Sequence, residues 1–104
     1  MDSIELRGYQ YELFASHQAN VLAHMRLYAE HGVVGHVEFL ADGEPLPPAE
    51  RPPSGQHRLY YPFSSLPMVV DLLRNEKPVF LVWAGAAGSR LSTSPEPVGE
   101  GEER

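Results

Sequence analysis

Near the start of the chain, Tyr9, Tyr11 and Leu13 alternate with Gln10 and Glu12, the period-two pattern of a strand with one buried face. A first strand is therefore expected from Ile4 to Phe14, with Gly8 marking a bulge or an edge. Ser16 to Asn20 reads as a polar connection. Residues 21–30 fit two patterns. On a helix, Val21, Leu22, Met25, Tyr28 and Ala29 share a face, with Ser16 as N-cap and Gly32 as stop. On a strand, Val21, Ala23, Met25, Leu27 and Ala29 do so.

The residues that follow favour the strand. Val33 to Leu40 is rich in β-branched side chains, and Glu30-His31-Gly32 suits a hairpin loop with Gly32 in the left-handed position. That register pairs Ala29 with Val33, Leu27 with Gly35, Met25 with Val37 and Ala23 with Phe39. The opposite face pairs Tyr28 with Val34, Arg26 with His36, and His24 with Glu38. One face is then wholly apolar and the other mostly polar, as a hairpin buried on one side requires.

Five of the ten prolines fall between Ala41 and Gln56, so this stretch is expected as a surface loop, partly extended polyproline. His57 to Phe63 resumes as a strand, with Leu59, Tyr61 and Phe63 on one face. A helix is expected from about residue 65 to 75, capped by Ser64 or Ser65 with Pro67 in its first turn. Leu66, Val69, Val70 and Leu73 form its buried stripe. Val79 to Ala84 is a nearly continuous apolar run and reads as a central strand. Gly85 to Gly88 turns the chain, and Ser89 to Ser94 returns as a last strand. The sum is an α+β fold, a two-layer sandwich of a mostly antiparallel sheet of about six strands with one main helix on one face. Residues 1–94 form a single domain, and residues 95–104 an acidic tail with the composition of a frayed end.

Composition narrows the function classes. The 104-residue chain has no cysteine, which excludes disulfides, thiolate metal sites and cysteine nucleophiles. No stretch has the apolar length of a membrane span, and the N-terminus lacks the pattern of a signal peptide, so a cytoplasmic location is expected. With 8 basic and 14 acidic residues the formal charge is −6, which opposes binding to a phosphate backbone.

The chemistry-bearing residues form no established motif. His17, His24 and His31 are spaced by seven, which puts them on one face only if the segment is helical. His36-Val37-Glu38 matches half of a zinc deaminase signature, but the other half needs cysteines. On the hairpin, His24, Arg26, His36 and Glu38 form a polar quartet on the outward face. No metal and no cofactor is expected. The leading expectation is a non-enzymatic binding module, a homodimer that covers its exposed sheet face. Its expected contacts are Tyr28, Tyr60, Tyr61 and the 41–56 loop, with the quartet as a further candidate surface. Two alternatives stand beside it. One is a single-stranded nucleic-acid binder that stacks bases on a tyrosine-bearing sheet. The other is a small enzyme in which Glu38 works with His24 or His36 as acid and base.

Overall fold

A computed structural model describes residues 2–18 and 20–94 of the chain, with the side chains of His17 and Gln18 left out. The expected acidic tail, residues 95–104, lies outside the described residues. Seven strands, one 3-10 turn and one α-helix follow in the order β1 (Asp2–Glu5), β2 (Gly8–Gln18), β3 (Val21–Ala29), β4 (Gly32–Leu40), β5 (His57–Pro62), the 3-10 turn (Phe63–Ser65), α1 (Leu66–Asn75), β6 (Phe80–Trp83) and β7 (Arg90–Ser92). The fold is α+β and mostly antiparallel, as expected, but its strands divide into two sheets, β2-β3-β4-β5 and β1-β6-β7.

The hairpin of β3 and β4 carries the core. Met25 lies opposite Val37, Ala23 opposite Phe39, and Leu27 opposite Gly35. All of these except Gly35 are wholly buried, 0 % exposed. The strand reading of residues 21–30 is therefore correct and the helical one is not. The register slips after Leu27, so that Tyr28 faces Val33 and Ala29 faces Gly32, one residue away from the expected pairing. The bulge absorbs the tight Glu30-His31 turn, with Gly32 at a φ of 131° that a side chain rarely permits.

Three expectations need correction. The first strand is two strands in different sheets: Leu6 N–H donates to Val79 O, whereas Arg7 N–H donates to Tyr28 O. The chain changes sheets between these two residues, and each backbone group finds its partner on a different side. Ser16 to Gln18 belongs to β2 rather than to a connection. Gln18 pairs with Val21, and Asn20 takes a left-handed φ of 66°, which asparagine tolerates better than most residues. The helix start also differs, because neither serine side chain caps α1. The 3-10 turn leads into the helix at Ser65, and Ser64 N–H donates instead to Asp42 Oδ1 at 2.9 Å. The proline-rich loop thereby holds the entry to the helix.

The β4–β5 pairing is parallel, with Gly35 beside His57 and Leu40 beside Pro62. A parallel neighbour needs a long return connection, and residues 41–56 supply it. Helix α1 buries Leu66 and Val69 and half-buries Val70 and Leu73, the stripe expected from its sequence. Together with Leu81 of β6 these residues pack on the apolar face of the four-stranded sheet. Gly35 allows the second sheet to come close: a Cβ there would lie 3.1 Å from Leu81 Cδ2 and 3.3 Å from His57 O. The molecule thus has two layers. The four-stranded sheet is one, and α1 with the small sheet is the other. Strand β6 is central in its own sheet.

Candidate functional site

Two surfaces hold the groups that could recognise something. The first is the outer face of the four-stranded sheet. Period-two alternation sends Gln10 and Glu12 of β2, His24, Arg26 and Tyr28 of β3, His36 and Glu38 of β4, and Arg58 and Tyr60 of β5 to this side. Arg26 lies opposite His36 and His24 opposite Glu38, so the quartet read from the sequence is in place on the backbone. Its side chains, however, choose other partners.

His24 and His36 meet diagonally, with His24 Nε2 3.0 Å from His36 Nδ1. His36 Nε2 lies 2.8 Å from Gln56 Oε1. A carbonyl oxygen only accepts, so His36 carries its proton on Nε2 and offers Nδ1 as acceptor; His24 then donates from Nε2. On its far side His24 Nδ1 faces Glu12 Oε1 at 3.7 Å. The two rings are nearly parallel, at 13°. Burial lowers the pKa of His24, and the neighbouring His36 and Arg26 lower it further, against the opposing pull of Glu12 and Glu38. These surroundings favour the neutral form of His24.

Glu38 turns away from both imidazoles. Arg58 Nη1 donates to Glu38 Oε2 at 2.6 Å, and Arg58 Nε lies 3.7 Å from Glu50 Oε1. Tyr28 Oη donates to Gln10 Oε1 at 2.8 Å. Tyr60 lies among Glu38, Glu50 and Arg58. Its burial raises its pKa, as do the two carboxylates, so it stays a neutral phenol. Apart from Arg26, whose side chain has no hydrogen bond or ion pair among the described residues, the outer face is a web of polar groups that pair with one another. The cavity beside His24, lined by Gln10, Tyr11, Glu12 and Arg26, measures about 60 Å³, far below the volume of a typical small-molecule site.

The remaining sequence candidates fall elsewhere. Tyr61 points to the opposite face, stacks on Phe39 with ring centroids 6.2 Å apart and accepts a hydrogen bond from Leu91 N–H at 3.4 Å. It is a core residue and shares no surface with Tyr28 and Tyr60. His31 is exposed in the β3–β4 turn. His57 is buried instead, packs against Trp83 and has its Nδ1 3.3 Å from Val34 O. No three histidine, aspartate or glutamate side chains among the described residues are placed to hold a metal ion. No helix among them is long and apolar enough to cross a membrane.

The second surface is the flank formed by β2 and α1, which sequence reasoning passed over. Tyr11 and Leu13 project on the apolar face of the sheet beside Met25 and Ala23, yet they are 42 % and 61 % exposed. Helix α1 does not reach far enough to cover them. A groove of about 420 Å³ opens between them and the Leu66, Pro67 and Val70 side of the helix. Strand β2 is also an edge of its sheet, and among the described residues its outward backbone groups from Gly8 to Leu13 have no backbone partner. The signal for this surface is in the sequence: a single helix of ten residues is too short to cover the apolar face of four strands, which leaves Tyr11 and Leu13 at its margin. Compared with known proteins, the chain matches no family model, no curated protein and no solved structure.

Proposed function

We propose that the protein is a non-enzymatic interaction module that works as a homodimer, and that the two copies join along β2. The bare β2 edge beside the exposed Tyr11 and Leu13 carries this reading. An unpaired edge is a template for another strand, and a domain of this size gains stability from burying more apolar surface.

A second copy fits the edge for a specific reason. In an antiparallel β2–β2 pairing with the two-fold axis at Tyr11, Tyr9 faces the partner's Leu13 and Gln10 faces the partner's Glu12. From Tyr9 to Leu13 every apolar side chain then meets an apolar one, and the only carboxylate meets an amide. Centring the axis on Glu12 would instead oppose two carboxylates, which is unfavourable. The pairing makes one eight-stranded sheet and sets both α1 helices on the same side, with each groove roofed by the other copy's Tyr11 and Leu13. The face of the sheet stays in solvent, because most of its polar groups already have partners.

The alternatives gain less support. Arg58, two residues from Tyr60 on the outer face, is neutralised by Glu38 and Glu50, and a net charge of −6 leaves little positive field for nucleic acid. Glu38 is tied to Arg58 rather than to a histidine, so the acid–base pair of the enzymatic reading is not assembled.

The test is molecular mass by light scattering across a range of concentrations. A concentration-dependent dimer is expected for the native chain. A strict monomer would overturn the proposal.

A further inference from the structure

Next to the β2 groove, with which it shares Arg74, a second cavity of about 260 Å³ lies where the β1–β2 junction meets the C-terminal end of α1. Three cations line it: Arg7 from the junction, Arg74 from the last turn of the helix and Lys77 just beyond it. The other basic groups with described ion pairs are neutralised, Arg51 by Asp2 and Arg58 by Glu38 and Glu50. Among the described residues, Arg7, Arg74 and Lys77 form no ion pair. A chain of net charge −6 has thus gathered three unneutralised positive charges around one opening.

Helix-end electrostatics accounts for part of this. A cation in the last turn is stabilised by the carbonyl end of the helix dipole, which suffices for Arg74 and Lys77. It does not account for Arg7, which comes from another part of the chain and adds a third like charge. Behind the cations the walls are apolar, made by Leu6, Leu73 and Val79 with the ring of Tyr9. Val79 is buried, and its carbonyl accepts from Leu6 N–H at 2.8 Å, so that wall is fixed by backbone pairing. Glu76 also lines the cavity and leaves the site a net positive charge.

We propose that this cavity binds a small organic carboxylate with an apolar body. The guanidinium groups of Arg7 and Arg74 suit a carboxylate, which they can hold through paired hydrogen bonds, and Lys77 adds charge. The apolar walls take the remainder of the ligand, and the volume exceeds what an inorganic anion alone would fill. All the walls come from one copy, although Tyr9 and Arg74 also border the proposed dimer contact.

The probe is benzoate, followed by amide chemical shifts in the full chain, with benzyl alcohol and inorganic phosphate in parallel. Saturable shifts are expected at Leu6–Tyr9 and Leu73–Val79 with benzoate only, at millimolar affinity. Arg7→Gln and Arg74→Gln are each expected to weaken binding about ten-fold, and added salt to weaken it further. The spectra of the unliganded variants report whether both still fold, as is expected for substitutions of exposed side chains. Absence of saturation with benzoate at about 10 mM would overturn the proposal. So would equal binding of benzyl alcohol, which would make the site merely apolar, or of phosphate, which would make it a general anion attractor. Unchanged affinity in both glutamine variants would do the same.

Discussion

The two edges of the four-stranded sheet are finished differently. At the β5 edge the chain returns on itself: Glu50 N–H donates to Arg58 O and Arg58 N–H to Glu50 O, both at 2.9 Å. Ala49 N–H is held in turn by Ala86 O, and the Glu50 carboxylate approaches the Arg58 guanidinium. Backbone and side chain together cover that edge at Arg58. At the β2 edge nothing comparable happens. There the strand runs from Gly8 to Gln18, and the segment from Gly8 to Leu13 carries neither proline nor lysine, the residues that commonly discourage a further strand. Two edges of one sheet, one capped and one bare, locate the surface that still has pairing to offer.

The outer face adds to this contrast. Its histidines, arginines and tyrosines attract attention in the sequence, but in the fold Glu12, His24, His36 and Gln56 follow one another in a chain, and Glu38, Arg58 and Glu50 form another. A buried or half-buried polar group that already has its partners gains little from a ligand. The flank of β2 is chemically plainer and less satisfied.

The largest expected effect sharpens the contrast by acting beneath both edges alike. Phe39 is wholly buried and stacks on Tyr61, so Phe39→Ala should cost about 3–5 kcal/mol. Chemical denaturation should show that loss whether the sample is dilute or concentrated. Next, the capped edge can be opened. Glu50→Pro removes one of the two backbone bonds to Arg58 and should cost about 1–3 kcal/mol. If β5 is kept from self-pairing by that bridge, the variant should also form larger assemblies than the native chain in light scattering.

The bare edge can be blocked in the opposite sense. Leu13→Lys puts a charge on a side chain already 61 % exposed. It should leave the unfolding of the isolated monomer nearly unchanged while raising the dimer dissociation constant about ten-fold or more, roughly 1.4 kcal/mol. Sedimentation separates the two quantities. The smallest effect comes from the outer face. The folded-state pKa of His24 is depressed, so between that value and the unfolded value near 6.5 the unfolded chain binds more protons. Stability should therefore be intact above about pH 6.5 and fall as the pH drops through this window. His24→Gln should flatten that slope without altering the mass, and an unchanged slope would remove the histidine pair from the account.

Much of this was legible in the sequence. The alternation of Ala23, Met25 and Leu27 against Val37 and Phe39 gave the central register, because a one-residue slip would have exposed the whole apolar set. The prolines at 45, 47, 48, 52 and 53 marked the loop, and Leu66, Val69, Val70 and Leu73 marked the helix face. The break between Leu6 and Arg7 was not legible, since the pattern of side chains continues across it and only the backbone partners change. Nor was the parallel placement of β5, which depends on where a long loop returns. The quartet of His24, Arg26, His36 and Glu38 was read in position but not in pairing. Arg58 and Gln56, which divert Glu38 and His36, come from β5 and the end of the long loop and leave no local signal. Tyr61 was grouped with Tyr60 by adjacency, although neighbours on a strand face opposite ways.

Because the chain has no cysteine, one introduced thiol reports a single contact, and the most direct measurement uses this. In the proposed register Tyr11 lies across the two-fold axis from its own copy, so Tyr11→Cys places two thiols on directly opposite residues. Met68, 71 % exposed on the outer side of α1, provides the control as Met68→Cys. The expected result is rapid covalent dimer from Tyr11→Cys with a short thiol-reactive linker, and slow, collision-limited linkage from Met68→Cys. Equal rates from the two positions, or no covalent dimer through Tyr11→Cys, would contradict pairing along β2.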